Sequence, residues 1–222
     1  MKKLYWRPQR LSIRVLVLIA LVAAGSLGGV ETCRVKEKQR YYSEKRRAAR
    51  LALRAFQMIK AARLRRGLAI DLETDPAQSG LIGVLLSPVT TNTGHLTAKQ
   101  TSVNPNFAAV VVDMLLRAGV QPGDTVALGI SGSFPALNIC ALAAVQTLKL
   151  NPLTVASAGS SQWGAKHPPM MWPDIEGLLL ENKLLTHRSI AVSWGGIDDR
   201  ARGVNEEGRR LIENAIRRND FP

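Results

Sequence analysis

Cysteine, histidine and aromatic residues are all scarce in this 222-residue chain. Two cysteines, Cys33 and Cys140, are too few and too far apart for a disulfide scaffold or a thiolate zinc site. Three histidines, His95, His167 and His187, leave little material for histidine-based catalysis or metal binding. No metal and no cofactor is expected. Acidic residues are absent from the first thirty positions, where Lys2, Lys3, Arg7, Arg10 and Arg14 stand alone.

A hydrophobic fraction of 46% excludes a disordered chain. The formal net charge of +13 invites a nucleic-acid reading, so its distribution matters. Residues 1–30 carry +5 and residues 31–66 carry +10, from thirteen basic and three acidic side chains. Residues 67–222 carry −2. A nucleic-acid-binding domain would hold its basic face on the folded unit, so no nucleic-acid partner is expected.

Residues 11–30 form an apolar run with only Arg14 charged, long enough at about 1.5 Å per residue to cross a ~30 Å hydrocarbon layer. Tyr5 and Trp6 just before it suit an interface. The reading is a transmembrane helix at 11–30 after a basic segment at 1–10, hence a single-pass protein of the cell membrane. A cleaved signal peptide is the competing reading. Basic residues flank the run on both sides, so the side of the membrane holding the rest is open.

Residues 31–66 read as a basic helical stalk. From Ser43 to Arg66 there is no glycine or proline, and Ala48, Ala52, Ala55, Ile59 and Ala62 recur at helical spacing. Anionic lipid or an acidic partner would suit its charge. Residues 67–222 change texture, with apolar strands predicted at 81–87, 125–131, 153–158 and 189–194. Helices are predicted at 107–118, from Ser133 to about Lys149, and from about Asn205 to Arg218. Apolar strands alternating with helices predict an α/β domain with a mostly parallel sheet and helices on both faces.

Such sheets bind ligands beyond the carboxyl ends of their strands. The loops falling there are rich in hydroxyls, amides and glycine. Ser131-Gly132-Ser133, leading into a helix, suits a phosphate or carboxylate. It lacks the Lys-Ser/Thr ending of a P-loop, and Ser133 stands where a hydrolase elbow needs glycine. A serine-dependent hydrolase or amide-forming enzyme using Ser131 or Ser133 remains an alternative. Lys99, Thr101 and Asn104 are candidates for a second polar wall, and Ser160, Ser161, Gln162 and Trp163 for a third. Trp163 and Trp172 could stack on a ligand or pack a core. Asp198 and Asp199 read as an exposed acidic turn, and Cys140 as core.

The strings TNTGHLTAKQTSVNPNFAAVVVDML, GISGSFPALNICALAA, SAGSSQWGA and WGGIDDRARGVNEEGRRLIENAIRRN resemble the poly-gamma-glutamate system protein family. That resemblance implies a membrane-anchored accessory component of poly-γ-glutamate biosynthesis or export. Its partners would be the synthase and export components, the polyanionic polymer and membrane lipid. It carries over no catalytic residues, and a non-catalytic scaffold for the synthase is a further alternative. Family members extend further than this chain, which implies a domain shortened at its C-terminus.

Overall fold

A computed structural model describes residues 11–35 and 37–221, so Tyr5, Trp6 and the basic segment at 1–10 lie outside the described residues. The chain divides into two units, Met1–Arg40 and Tyr41–Pro222. The first holds helix α1 (Ile13–Thr32), two residues later than the sequence reading. Ser12 caps it, its Oγ accepting from Val15 N at 3.4 Å. None of its residues is buried, and it is long and apolar enough to cross a membrane. A signal sequence meets the same description.

The second unit begins earlier than the sequence suggests. Helix α2 (Tyr42–Arg65) is not a stalk but part of the body. Its stripe of Ala48, Leu51, Ala52, Ala55, Phe56, Ile59 and Ala62 is buried, packed on α4 (Phe107–Arg117) and α5 (Pro135–Thr147). Small alanines let the helix axes approach closely. Arg63 completes the attachment from the buried side. Its guanidinium donates to the carbonyls of Ala69, Gly80 and Ile82, pinning the following loop to α2. With α2 included, the body carries 21 basic and 15 acidic residues, a net +6, so the basicity lies on the folded unit and the charge distribution no longer sets a nucleic-acid partner aside.

The main sheet is three-stranded and parallel, in the order β2 (Thr125–Ser131), β3 (Asn151–Ser157), β7 (Ala191–Ser193). The predicted strand at 81–87 does not form. Its backbone instead makes a local pair with Trp163, through Gly83 N to Trp163 O and Trp163 N to Val84 O. The strand there is the shorter β1 (Thr90–Asn92), parallel to β4 (Ser160–Ser161). β5 (Lys166–His167) and β6 (Met170–Met171) form a hairpin through Pro168-Pro169. Helix α3 (Leu96–Ser102) occupies a stretch expected to be loop, and α6 (Trp172–Glu181) follows β6. Helix α7 (Glu206–Arg218) matches its prediction, with the Asn205 side chain accepting from Gly208 N at 2.8 Å.

Burial alternates along β3: Pro152, Thr154 and Ala156 are buried. Leu153 and Val155 are 50% and 46% exposed, and Ala127 and Gly129 of β2 are exposed beside them. The two-sided covering expected of a parallel sheet is therefore found on one face only over this stretch. Trp172 is wholly buried, its Nε1 donating to Glu176, so it is core rather than a stacking platform. Cys140 is buried as expected, and burial pushes its thiol up to about 12.

Candidate functional site

Register builds the site. Ser131 pairs with Ser157 and Ser157 with Ser193, so the last residue of each main strand places a hydroxyl in one row across the carboxyl edge. Ser157 Oγ donates to Ser131 Oγ at 3.1 Å, and Ser131 Oγ to Ser133 Oγ at 3.2 Å. Ser133 Oγ also accepts from Ser161 N at 3.0 Å, which ties β4 to the turn after β2. A cleft of about 250 Å³ opens above this row. Ser131, Ser133, Ser157, Ser161, Asn92 and Asp199 are among its lining residues.

Behind one wall lies Lys99, 3% exposed, on α3. Its Nζ contacts the Ser133 carbonyl at 2.5 Å and Ser161 Oγ at 2.9 Å, and sits 3.8 Å from the Phe134 ring centroid. Among the described residues no carboxylate forms an ion pair with it. Desolvation disfavours the charged amine and lowers its pKa to about 8. Lys166, wholly buried, bonds to the Leu85 carbonyl at 2.6 Å and Thr90 Oγ1 at 2.8 Å. Burial, and then repulsion from Lys99, bring it also to about 8. On the other side of the cleft, Asp199 Oδ1 accepts from Ser193 Oγ at 2.7 Å and Gly195 N at 3.0 Å. The walls thus combine neutral hydroxyls with an ammonium behind one side and a carboxylate on the other.

Gly132 is structural: its N–H donates to the Ser157 carbonyl, its carbonyl accepts from Ala165 N and Ser160 Oγ, and a Cβ there would lie 3.1 Å from the Ala158 carbonyl. Ser160 is wholly buried behind it. Gln162 turns to accept from Gly94 N at 3.0 Å, and Trp163, at φ +58, packs against the core. Thr101 and Asn104 do not reach the cleft. Thr101 is exposed and bonds back to the Thr97 carbonyl, while Asn104 caps its own turn through Asn106 N. The helix α3 explains this, since it turns Lys99 inward and Thr101 outward.

Sequence reasoning missed Ser193 and Asp199 as companions of Ser131 and Ser157. The signal was available: Ile130-Ser131, Ala156-Ser157 and Val192-Ser193 each end an apolar run in serine. No histidine lines the cleft among the described residues. His167 lies elsewhere, its Nε2 buried without a hydrogen-bond partner, and burial with nearby Arg63 and Lys166 lowers it to about 4.

A second concavity, of about 760 Å³, lies between α2 and the end of α5. Arg47, Arg50, Arg54 and Lys149 line it with Gln146 and Thr147, and no acid is among its lining residues. Compared with protein family models, curated proteins and solved structures, the chain finds no match.

Proposed function

We propose that the protein is a membrane-anchored accessory component of poly-γ-glutamate biosynthesis or export, whose body holds the anionic polymer. One observation carries this reading: on the folded body itself, four basic side chains and no acid are among the residues lining one groove, and of the four only Arg47 pairs with an acid, Glu44 at 3.4 Å, among the described residues. A polymer with one carboxylate per repeat complements such a groove, and the field of a +6 body favours its approach. The serine cleft, backed by Lys99, accepts a single anionic group such as a γ-glutamyl carboxylate. Helix α1 is the single-pass anchor that keeps the body at the membrane where the polymer is made and exported.

The test is binding of purified protein to fluorescent poly-γ-glutamate across a salt series. Affinity falls as salt rises, and Arg50→Glu with Arg54→Glu weakens it at least about tenfold, because like charges replace attraction. Unchanged affinity in that double variant would remove the groove from the reading. The same variant lowers polymer yield in producing cells. The open face around Leu153 and Val155 favours a second reading, a scaffold on which a synthase subunit completes the two-sided covering of the sheet.

A further inference from the structure

Most buried lysines meet a carboxylate; Lys99 meets a serine hydroxyl at the edge of a cleft instead. We propose that Ser161 is a nucleophile and Lys99 its general base, making the cleft a site of acyl transfer on a small amide or ester. This goes beyond holding the polymer, and it uses a serine other than the two that the sequence turn brings forward.

Geometry carries the assignment. Lys99 Nζ and Ser161 Oγ are 2.9 Å apart, within reach for proton transfer. Ser161 is part of the cleft wall, whereas Lys99 is 3% exposed and out of the bulk solvent. The Ser133 carbonyl at 2.5 Å and the Phe134 ring fix the amine in place from other directions. Serine activated by lysine needs no histidine, and none lines this cleft among the described residues. The low pKa of Lys99, about 8, supplies a neutral fraction near physiological pH.

The step balances within these groups. Neutral Lys99 takes the Ser161 hydroxyl proton as Oγ bonds to the carbonyl carbon. The carbonyl carbon–nitrogen or carbon–oxygen bond then breaks. Lys99 returns that proton to the departing amine or alcohol, leaving the acyl group on Ser161. Water, or an acceptor amine, next bonds to the acyl carbon and gives its proton to Lys99. The Ser161 ester bond breaks and Oγ regains the proton. Ser133 Oγ accepts from both Ser131 Oγ and Ser161 N, so its own proton is free to meet the developing oxyanion. A space of about 250 Å³ admits an acyl part the size of one amino acid, and Asp199 can receive an ammonium or N–H of that part.

The experiment uses the full chain in detergent with a fluorophosphonate probe, followed by peptide mass mapping. An adduct on Ser161 is expected, forming at a rate that rises with pH through a midpoint near 8. Lys99→Met slows it by about a hundredfold or more. No adduct, an adduct on Ser131 or Ser133 alone, or an unchanged rate in Lys99→Met overturns the assignment. Should Lys99→Met not fold, Ser161→Cys serves: iodoacetamide alkylates the introduced thiol faster than free cysteine if Lys99 acts on it, and no faster if it does not. Binding of fluorescent poly-γ-glutamate to Ser161→Ala separates the two proposals. Polymer binding without wild-type labelling leaves the polymer reading and removes the nucleophile, and labelling without polymer binding does the reverse.

Discussion

Helices α1 and α2 are close in length, at 20 and 24 residues, and opposite in composition and fate. The apolar one buries none of its residues within the chain, while the strongly basic one buries eight. Mean composition would have assigned them the other way. What decides is the arrangement: α1 spreads its apolar residues around the helix and buries none of them in the chain, whereas α2 concentrates alanine, leucine and isoleucine on one stripe. Most arginines and lysines on the remaining faces of α2 then stay in water, while Lys45 pairs with Asp113 of α4 at 2.7 Å and three backbone carbonyls receive Arg63.

That contrast can be broken most forcefully at Ala52, wholly buried on α2. Ala52→Glu places an unpaired carboxylate against α4 and α5 and is expected to unfold the body, seen as loss of the cooperative thermal transition. Ile59→Ala, also at full burial, costs about 2–5 kcal/mol in a denaturant titration while leaving the transition cooperative. If α2 were a detached stalk, neither change would move the transition.

Buried and exposed basic residues give a third test, through pH. Lys99 and Lys166 have folded pKa values near 8, below the unfolded value near 10.5. Between those limits the unfolded chain binds more protons, so the stability contribution of both groups rises as pH rises from about 8 to about 10.5. His167, at about 4 against 6.5, acts with the same sign lower down, and its contribution falls as pH drops from 6.5 towards 4. Lys99→Met flattens the alkaline rise in a thermal melt series, while Arg54→Met, on the exposed rim, leaves it unchanged. The smallest effect belongs to α1. Leu18→Ala, at a position 61% exposed, leaves the unfolding of the body unchanged within about 0.5 kcal/mol.

Much of this architecture was legible in the sequence. The run Thr125–Ser131 forms a strand over its predicted span, because apolar residues bounded by turn chemistry leave few alternatives. α7 was equally readable from Asn205, the acidic first turn and the basic last turn. Two features were not. The alanine stripe of α2 resembles a polar helix until its partners α4 and α5 are in place. The run at 81–87 is apolar enough for a strand, yet its neighbour is Trp163 in a positive-φ turn, which permits only two backbone contacts. The Ser131 turn was legible as a site, but its companions depended on strand register, and Lys99 reaches it only because residues 96–102 coil into a helix.

The row of Ser131, Ser157 and Ser193 makes the cleft unusually sensitive to a change of length. Replacing a core residue of β3 alters stability by degrees, but deleting one residue between Asn151 and Ala156 with the pairing held at the strand start shifts every later residue by one place. Ala158 would then stand opposite Ser131, and the hydroxyl would leave the row. Descendants of this chain that keep the site are therefore expected to vary in residue type along β3 while holding its length fixed, and to confine insertions to the turn at Gln121–Asp124 before β2.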